Sequence, residues 1–348
     1  MENYAGIDVS LELSSVCVVD AQGKIVKEAK AASEPEALVA FFRSLGFAVK
    51  RIGLEAGPLS QWLHAGLKRA GFEVVLLETR HVKAALSAMT VKTDRKDARG
   101  IAQLIRMGWF RPVHAKSIAS QEVRALLVAR KQLLERLIDV ELSMRGILRG
   151  FGLKVGPVTR KGFEARIREL VTGQATSERI AGAMLSARAA LKAEYEKLHK
   201  AVLALVRDDA VCRRLMTVPS VGPLVAITYK SAMDDPYRIT RSKSAGALFG
   251  LTPKKYQSGE KDVTGGITRA GDEMVRTALY EAANVLLSRI TRFSKLKRWG
   301  MDVAKRRGSK RAKVALARKR KIAVILHRMW IDGTTYRWAA AEPTAAKA

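Results

Sequence analysis

Lys92-Thr93-Asp94-Arg95-Lys96-Asp97-Ala98 reads as the start of a helix that runs to about Met107, with Thr93 as its N-cap. Two aspartates lie three residues apart in its first turn. Residues at that spacing share one face of a helix, so Asp94 and Asp97 can point their carboxylates at the same place. Two acids upstream are placed to join them. Asp8 lies in Gly6-Ile7-Asp8-Val9 and Glu55 in Ile52-Gly53-Leu54-Glu55-Ala56-Gly57, each at or beside the end of a short apolar run that reads as a strand. Four carboxylates at one locus repel unless hard cations such as magnesium neutralise them. A plainer reading competes, because the helix macrodipole and capping both favour Asp in a first turn. The two strand-end acids and the very basic chain around them favour the functional one.

Outward from this stretch, residues 4–9, 13–20 and 24–31 read as three meandering strands, with Ala21-Gln22-Gly23 as a turn. A helix over 34–45, a strand over 51–54, a helix over 59–70 closed by Gly71, a strand over 72–77 and a short helix over 81–88 follow. That order is the order of an RNase H-like fold. In that fold the first strand, the end of the fourth strand and a late helix converge on one sheet edge, which would gather Asp8, Glu55, Asp94 and Asp97.

The chain has 348 residues, enough for two or three domains with separate cores, and its 48% hydrophobic content is that of a globular protein. Its net charge of +30, from 63 Lys and Arg against 33 Asp and Glu, repels itself without a polyanion and makes nucleic acid the leading partner class. An anionic membrane surface is the weaker alternative. No apolar stretch reaches the roughly 18–20 residues needed to span a bilayer. Met1-Glu2-Asn3-Tyr4 lacks the basic start and long apolar core of a signal peptide. Cys17 and Cys212 form no metal-spaced pair and fit a reducing, cytoplasmic setting.

Residues 117–150 carry a long helical pattern (Val123, Leu126, Leu127, Leu133, Leu134, Leu137, Ile138, Leu142), and a second stretch over 178–206 can run antiparallel to it as a coiled-coil arm or hairpin. The arm serves either as part of a simple bundle or as a spacer and dimerisation element. Val218-Pro219-Ser220-Val221-Gly222-Pro223 then leads into a helix from Leu224. A tight Pro-x-x-Gly turn between helices looks like a helix-hairpin-helix element whose backbone N–H groups can hold a DNA phosphate. Further on, Ser258 is expected in a loop between lysines, ahead of the glycine-rich basic run Thr264-Gly265-Gly266-Ile267-Thr268-Arg269-Ala270-Gly271-Asp272, where a nucleophile or a phosphate contact would be well placed. A helix over 273–291 follows. From Lys305 to Lys321 there are ten basic residues and no acid, a cationic stripe suited to a phosphate backbone.

These motifs together resemble the DEDD transposases of the insertion-sequence 110 family, relatives of the Piv DNA invertases. The N-terminal part is similar through Gly6-Ile7-Asp8-Val9, Leu54-Glu55-Ala56-Gly57 and Lys92-Thr93-Asp94-Arg95-Lys96-Asp97-Ala98. The C-terminal part is similar through Val218 to Pro223, Phe249-Gly250-Leu251-Thr252-Pro253, Ser258-Gly259, Ile267-Thr268-Arg269-Ala270-Gly271 and Arg276. Ser220 departs from the pattern, which has glycine there, and Arg238-Ile239 stands where an Arg-Phe pair is common. The resemblance implies an α/β RuvC-like domain over 1–112, a helical arm over 113–212, and a mainly α transposase domain over 213–338 before an Ala-rich tail, 339–348. It implies that Asp8, Glu55, Asp94 and Asp97 hold two magnesium ions and that Ser258 is the nucleophile of a covalent phosphoserine intermediate. It also implies a noncoding bridge RNA that pairs with donor and target DNA, and assembly into dimers and tetramers. Lys92, Arg95, Lys254, Lys255, Lys261, Arg269, Arg276, Lys310, Arg311, Lys313, Arg318, Lys319 and Arg320 are the expected nucleic-acid contacts.

Two rivals remain on sequence alone. A hydrolytic, Holliday-junction-type nuclease would use the same acids with water as nucleophile. A non-catalytic nucleic-acid-binding protein would use the acids only as caps.

Overall fold

A computed structural model of the chain describes residues 2–87, 89, 91–317 and 322–338. Arg318, Lys319, Arg320 and the tail over 339–348, all singled out above, lie outside the described residues. The chain divides into two compact units, Met1–Lys116 and Ser117–Ala348. The helical arm, drawn from sequence as a separate domain over 113–212, belongs to the second unit from Ser117 onward, and residues 113–116 belong to the first.

The first unit is built on a six-stranded sheet. Strands β1 (Asn3–Asp8), β2 (Leu13–Asp20) and β3 (Ile25–Ala32) form an antiparallel meander. Helix α1 (Pro35–Arg43), β4 (Arg51–Glu55), α2 (Ser60–Arg69), β5 (Val74–Leu77), α3 (Thr79–Leu86), α4 (Asp94–Met107) and the short β6 (Pro112–Val113) follow. The strand order is β3-β2-β1-β4-β5-β6, with β4 parallel to both β1 and β5. This is the RNase H-like topology expected from the element order, with β6 added at the edge.

Side-chain alternation along the strands makes two cores. Ala5, Ile7, Val16, Val18, Ile52 and Leu54 face α1 and α2, where Leu38, Phe42, Leu63 and Leu67 cover them. Tyr4, Cys17 and Val19 face the other way, onto Val82 of α3 and Ala98, Ile101, Ala102 and Ile105 of α4. Full burial of an isoleucine such as Ile101 or Ile105 contributes about 1.5–3 kcal/mol.

Two glycines set how closely α4 approaches. Gly6 of β1 pairs with Gly53 of β4, and both face α4. A Cβ on Gly6 would lie 2.3 Å from the Ala102 nitrogen and the Ala98 carbonyl oxygen. One on Gly53 would lie 2.3 Å from Cγ1 of Ile105. The glycines therefore form a trough in which Gly6 admits the α4 backbone and Gly53 admits the Ile105 side chain. By the same alternation, Asp8 and Glu55, two residues further along each strand, project from the α4 side of the sheet.

The second unit opens with α5 (Ile118–Gly150), capped by the Ser117 hydroxyl, which accepts from the Ser120 N–H at 3.2 Å. Then come α6 (Phe163–Val171) and α7 (Ala175–Asp208). At 33 residues α5 is about 50 Å long. Leu127 of α5 shares a core with Val202 and Val206 of α7, whereas Met144 and Leu148 share one with Ala181 and Leu185. Rising numbers on one helix meet falling numbers on the other, so the pair is antiparallel. Helix α6 closes the far end through Phe163, Ile167 and Val171.

Beyond the arm, α8 (Ala210–Leu215) turns into α9 (Pro223–Met233), with α10 (Ala245–Leu248) after two short 3-10 turns. Strands β7 (Pro253–Ser258) and β8 (Lys261–Ile267) form a two-stranded hairpin. Helices α11 (Glu273–Ser288), α12 (Lys295–Arg307), α13 (Ser309–Ala317) and α14 (Ile322–Asp332) complete the unit. One core spans α8, α9, α11, α13 and α14. Within it the Tyr229 hydroxyl donates to the Ala323 carbonyl at 2.8 Å. The basic run over 305–321 does not lie on one helix, because the chain breaks at Gly308 (φ 81°) between α12 and α13.

Candidate metal centre and serine hairpin

Asp8 ends β1 and Glu55 ends β4. These strands are parallel neighbours, with Ile7 opposite Leu54, so the two carboxylates leave the sheet side by side at its carboxyl edge. Asp94 and Asp97 occupy the first turn of α4, where the Thr93 hydroxyl accepts from the Lys96 N–H at 3.3 Å and the Asp97 N–H donates to the Thr93 carbonyl at 2.9 Å. The cap predicted from sequence is therefore formed.

The acids act on one another electrically. Burial pushes the Asp8 carboxyl up to about 6, and the Asp97, Asp94 and Glu55 carboxylates push the same way against the pull of Lys92. Glu55 is also raised, by burial first, with Asp97 adding to the shift and a Thr79 hydrogen bond opposing it. Lys92 is exposed and its ammonium lies 3.9 Å from Asp97. Among the described residues no three His, Cys, Asp or Glu side chains converge closely enough to hold a metal ion. In the chemistry of its donors, all carboxylate oxygens, and in its excess of negative charge the set nevertheless suits a hard divalent cation. It does not form a closed ligand cage.

The basic residues of this motif do different jobs. Arg95 Nε donates to Glu28 of β3 at 2.7 Å, its Nη2 contacts the same oxygen, and Arg99 Nη2 reaches the other Glu28 oxygen at 3.2 Å. Arg95 first, and Arg99 with it, hold the Glu28 carboxyl below its ordinary value. The pair ties the first turns of α4, which carry Asp94 and Asp97, to β3. Arg95, expected as a nucleic-acid contact, is engaged in this clamp. Sequence reading missed Glu28, a single acid between Lys27 and Lys30 whose partners lie about seventy residues away in the chain.

Ser258 differs from its expected setting. It is the exposed last residue of β7, paired with Lys261 across a two-residue turn of Gly259 and Glu260, not part of a loop. Gly259 has φ 54°, the left-handed conformation such turns require. The hairpin went unread because Tyr256 and Val263, its apolar side chains between Lys254 and Gly266, are too few to show an apolar period. Lys254, Lys255, Lys261 and Arg269 are all exposed here, and Lys255 pairs with Asp262 at 3.1 Å. Arg276 braces the base of the hairpin, donating to the Gly271 carbonyl at 2.8 Å and the Phe249 carbonyl at 3.3 Å. On α13, Lys310 and Arg311 are exposed and the Lys313 ammonium lies 6.0 Å from the Tyr280 ring centre. In the turn between α8 and α9, Ser220 adopts φ 73°, so it sits in the left-handed region at the position where the family pattern has glycine.

No helix among the described residues is long and apolar enough to cross a membrane.

Residues 5–152 match the family model of DEDD transposases of IS110, described as transposase, and residues 212–298 match "Transposase IS116/IS110/IS902 family". A Sinorhizobium fredii protein named as a transposase, y4pF/y4sB, is 30% identical over 298 residues, covering 83% of this chain and 74% of that protein. The transposase for insertion sequence element IS1111A of Coxiella burnetii is 28% identical over 345 residues, covering 96% of this chain and 91% of its own length. Among solved structures, Thermus thermophilus RuvC in complex with a Holliday junction substrate aligns with 32% of this chain and all of its own, at 16% identity and a TM-score of 0.26.

Proposed function

This chain belongs to the IS110 family of insertion-sequence transposases, and on that premise we propose that it cuts and rejoins DNA strands through a covalent phosphoserine at Ser258, assisted by magnesium at Asp8, Glu55, Asp94 and Asp97. The observation that carries the reading is geometric: Asp8 and Glu55 end neighbouring parallel strands, and Asp94 and Asp97 share the first turn of the helix packed on them.

Each residue has a definable task. Asp8, Glu55, Asp94 and Asp97 would hold the metal, which when bound polarises the phosphate and steadies the leaving oxygen. Glu28, through Arg95 and Arg99, ties the turns that carry Asp94 and Asp97 to β3. The Ser258 hydroxyl is a weak nucleophile and needs its proton removed as it attacks. In the first step a bond forms between Ser258 Oγ and phosphorus, the phosphodiester bond to the leaving strand breaks, the serine proton goes to a base, and the departing oxygen takes a proton. In the second step a hydroxyl of another strand attacks the same phosphorus and gives up its proton, the Ser258 Oγ–phosphorus bond breaks, and Oγ regains a proton. One phosphodiester is lost and one gained, so rejoining needs no nucleotide hydrolysis. The cationic surface fits donor and target DNA and a structured noncoding RNA, with sequence choice delegated to base pairing. Dimers, pairing into tetramers on DNA, would bring the strands together.

The test is a covalent trap. Full-length protein is incubated with magnesium, junction DNA of its element and RNA transcribed from the flanking noncoding end, then denatured and resolved for DNA-shifted protein. The reading requires an adduct that disappears in Ser258→Ala and in Asp97→Ala. Cleavage without adduct, retained in Ser258→Ala, would replace it with the hydrolytic nuclease.

A further inference from the structure

The hairpin that carries Ser258 has two unlike faces. Alternation along paired strands puts Ser258 and Tyr256 on one face with their partners Lys261 and Val263. Gln257 and its partner Asp262 lie on the other. The Lys255–Asp262 ion pair, 3.1 Å, occupies that other face and fixes the assignment independently. On the serine face Tyr256 is 64% exposed and Val263 58% exposed, an aromatic and an aliphatic side chain held in water beside the Lys261 ammonium. Among the described residues no carboxylate pairs with Lys261.

We propose that this face is the seat for the strand being cut. The Lys261 ammonium pairs with a non-bridging oxygen of the phosphate that Ser258 attacks, and Tyr256, backed by Val263, stacks on the base of the adjoining nucleotide. The inference rests on reading Ser258 as the nucleophile. Directly opposed residues on a ladder have Cβ atoms about 4.5–5.5 Å apart, so one phosphate can meet both the serine hydroxyl and the lysine. Tyr256 stands two residues back on the same face, about 7 Å away along the strand, the stride from a phosphate to a neighbouring base. Aromatic stacking accepts any base, which matches an enzyme whose sequence choice lies elsewhere. A rigid two-residue turn keeps the three groups in register without a core beneath them.

The experiment separates this seat from the chemistry. Full-length Ser258→Ala protein, which can form no adduct, is photo-cross-linked to a short oligothymidylate carrying 5-iodouracil, and the cross-linked peptides are mapped. Cross-links at Tyr256 are expected, with yield down roughly tenfold in Lys261→Met and Tyr256→Leu, from the loss of one phosphate contact or one stacked base. Tyr256→Phe should restore the yield and Gln257→Ala should leave it unchanged. In the covalent trap with Ser258 intact, Lys261→Met and Tyr256→Leu should lower adduct formation by a similar factor. Cross-links that map away from the hairpin, or an unchanged yield in Lys261→Met, would overturn the proposal. The expected cross-link pattern without any adduct in the intact protein would support the seat and refute Ser258 as nucleophile.

Discussion

Gly6→Ala should separate the fold's contribution to the metal centre from that of the acids themselves. The new Cβ would stand 2.3 Å from the Ala102 nitrogen and the Ala98 oxygen and 2.9 Å from the Ile101 carbonyl carbon. All three are backbone atoms of α4, so no rotamer change relieves the contact, and neither Ala98→Gly nor Ala102→Gly would rescue it. Ordinary contact requires α4 to retreat by about 1 Å, and overpacking of that kind costs about 1–3 kcal/mol. The retreat also carries Asp94 and Asp97 away from Asp8 and Glu55. Misplacement by about 1 Å lowers a positioned reaction roughly a hundredfold. Gly53→Ala is the internal comparison, because it meets the Ile105 and Leu77 side chains, which can turn aside. Urea unfolding should show a lower midpoint for Gly6→Ala than for Gly53→Ala. Magnesium-dependent strand transfer, measured under conditions where both variants are folded, should fall much further in Gly6→Ala. Wild-type stability and strand transfer in Gly6→Ala would refute the reasoning that α4 is seated backbone-to-backbone on β1.

Three other outcomes follow from the geometry. Ser220→Gly should raise the thermal midpoint by roughly 1–4 °C: relief of left-handed strain worth about 1–2 kcal/mol outweighs the added freedom of the unfolded chain, about 0.5–1 kcal/mol. Cys17 and Cys212 are buried, and burial pushes their thiols up to about 11 and about 12, so iodoacetamide at neutral pH should label neither until the chain is unfolded in urea. Burial lowers the proton affinity of His327, which contacts Ser242 Oγ at 2.9 Å and the Pro236 carbonyl at 2.8 Å. A depressed folded value means the contribution is complete above the unfolded value of 6.5 and is lost as pH falls from there through the folded value. Urea midpoints of the wild type should therefore fall below pH 6.5 more steeply than those of His327→Gln.

The sequence exposed the first unit far better than the second, for physical reasons. Thr93 before the α4 apolar face, and Asp8 and Glu55 after apolar runs, are local signals that survive in one dimension. The order of strands and helices then left little choice of topology. The trough of Gly6 and Gly53 was not legible, since it depends on the β1–β4 register, and neither was the Glu28 clamp, which joins residues far apart in the chain. In the second unit the arm helices announced themselves by periodicity, but α6, in the stretch between them, was assigned no element. The hairpin around Ser258 is held by backbone pairing and the Lys255–Asp262 ion pair, and carries too few apolar side chains for a pattern to reveal it. The cationic stripe was visible as charge, and its division at Gly308 was not.

The central claim is that DNA becomes covalently joined to Ser258. Its most direct test is to trap the complex with magnesium and junction DNA, digest both protein and DNA, and identify the modified peptide by mass spectrometry. The account predicts a nucleotide phosphate on the tryptic peptide that contains Ser258, absent when magnesium is chelated or when Asp97 is replaced by alanine. A modification on any other residue, or cleaved DNA with Ser258 unmodified, would contradict it.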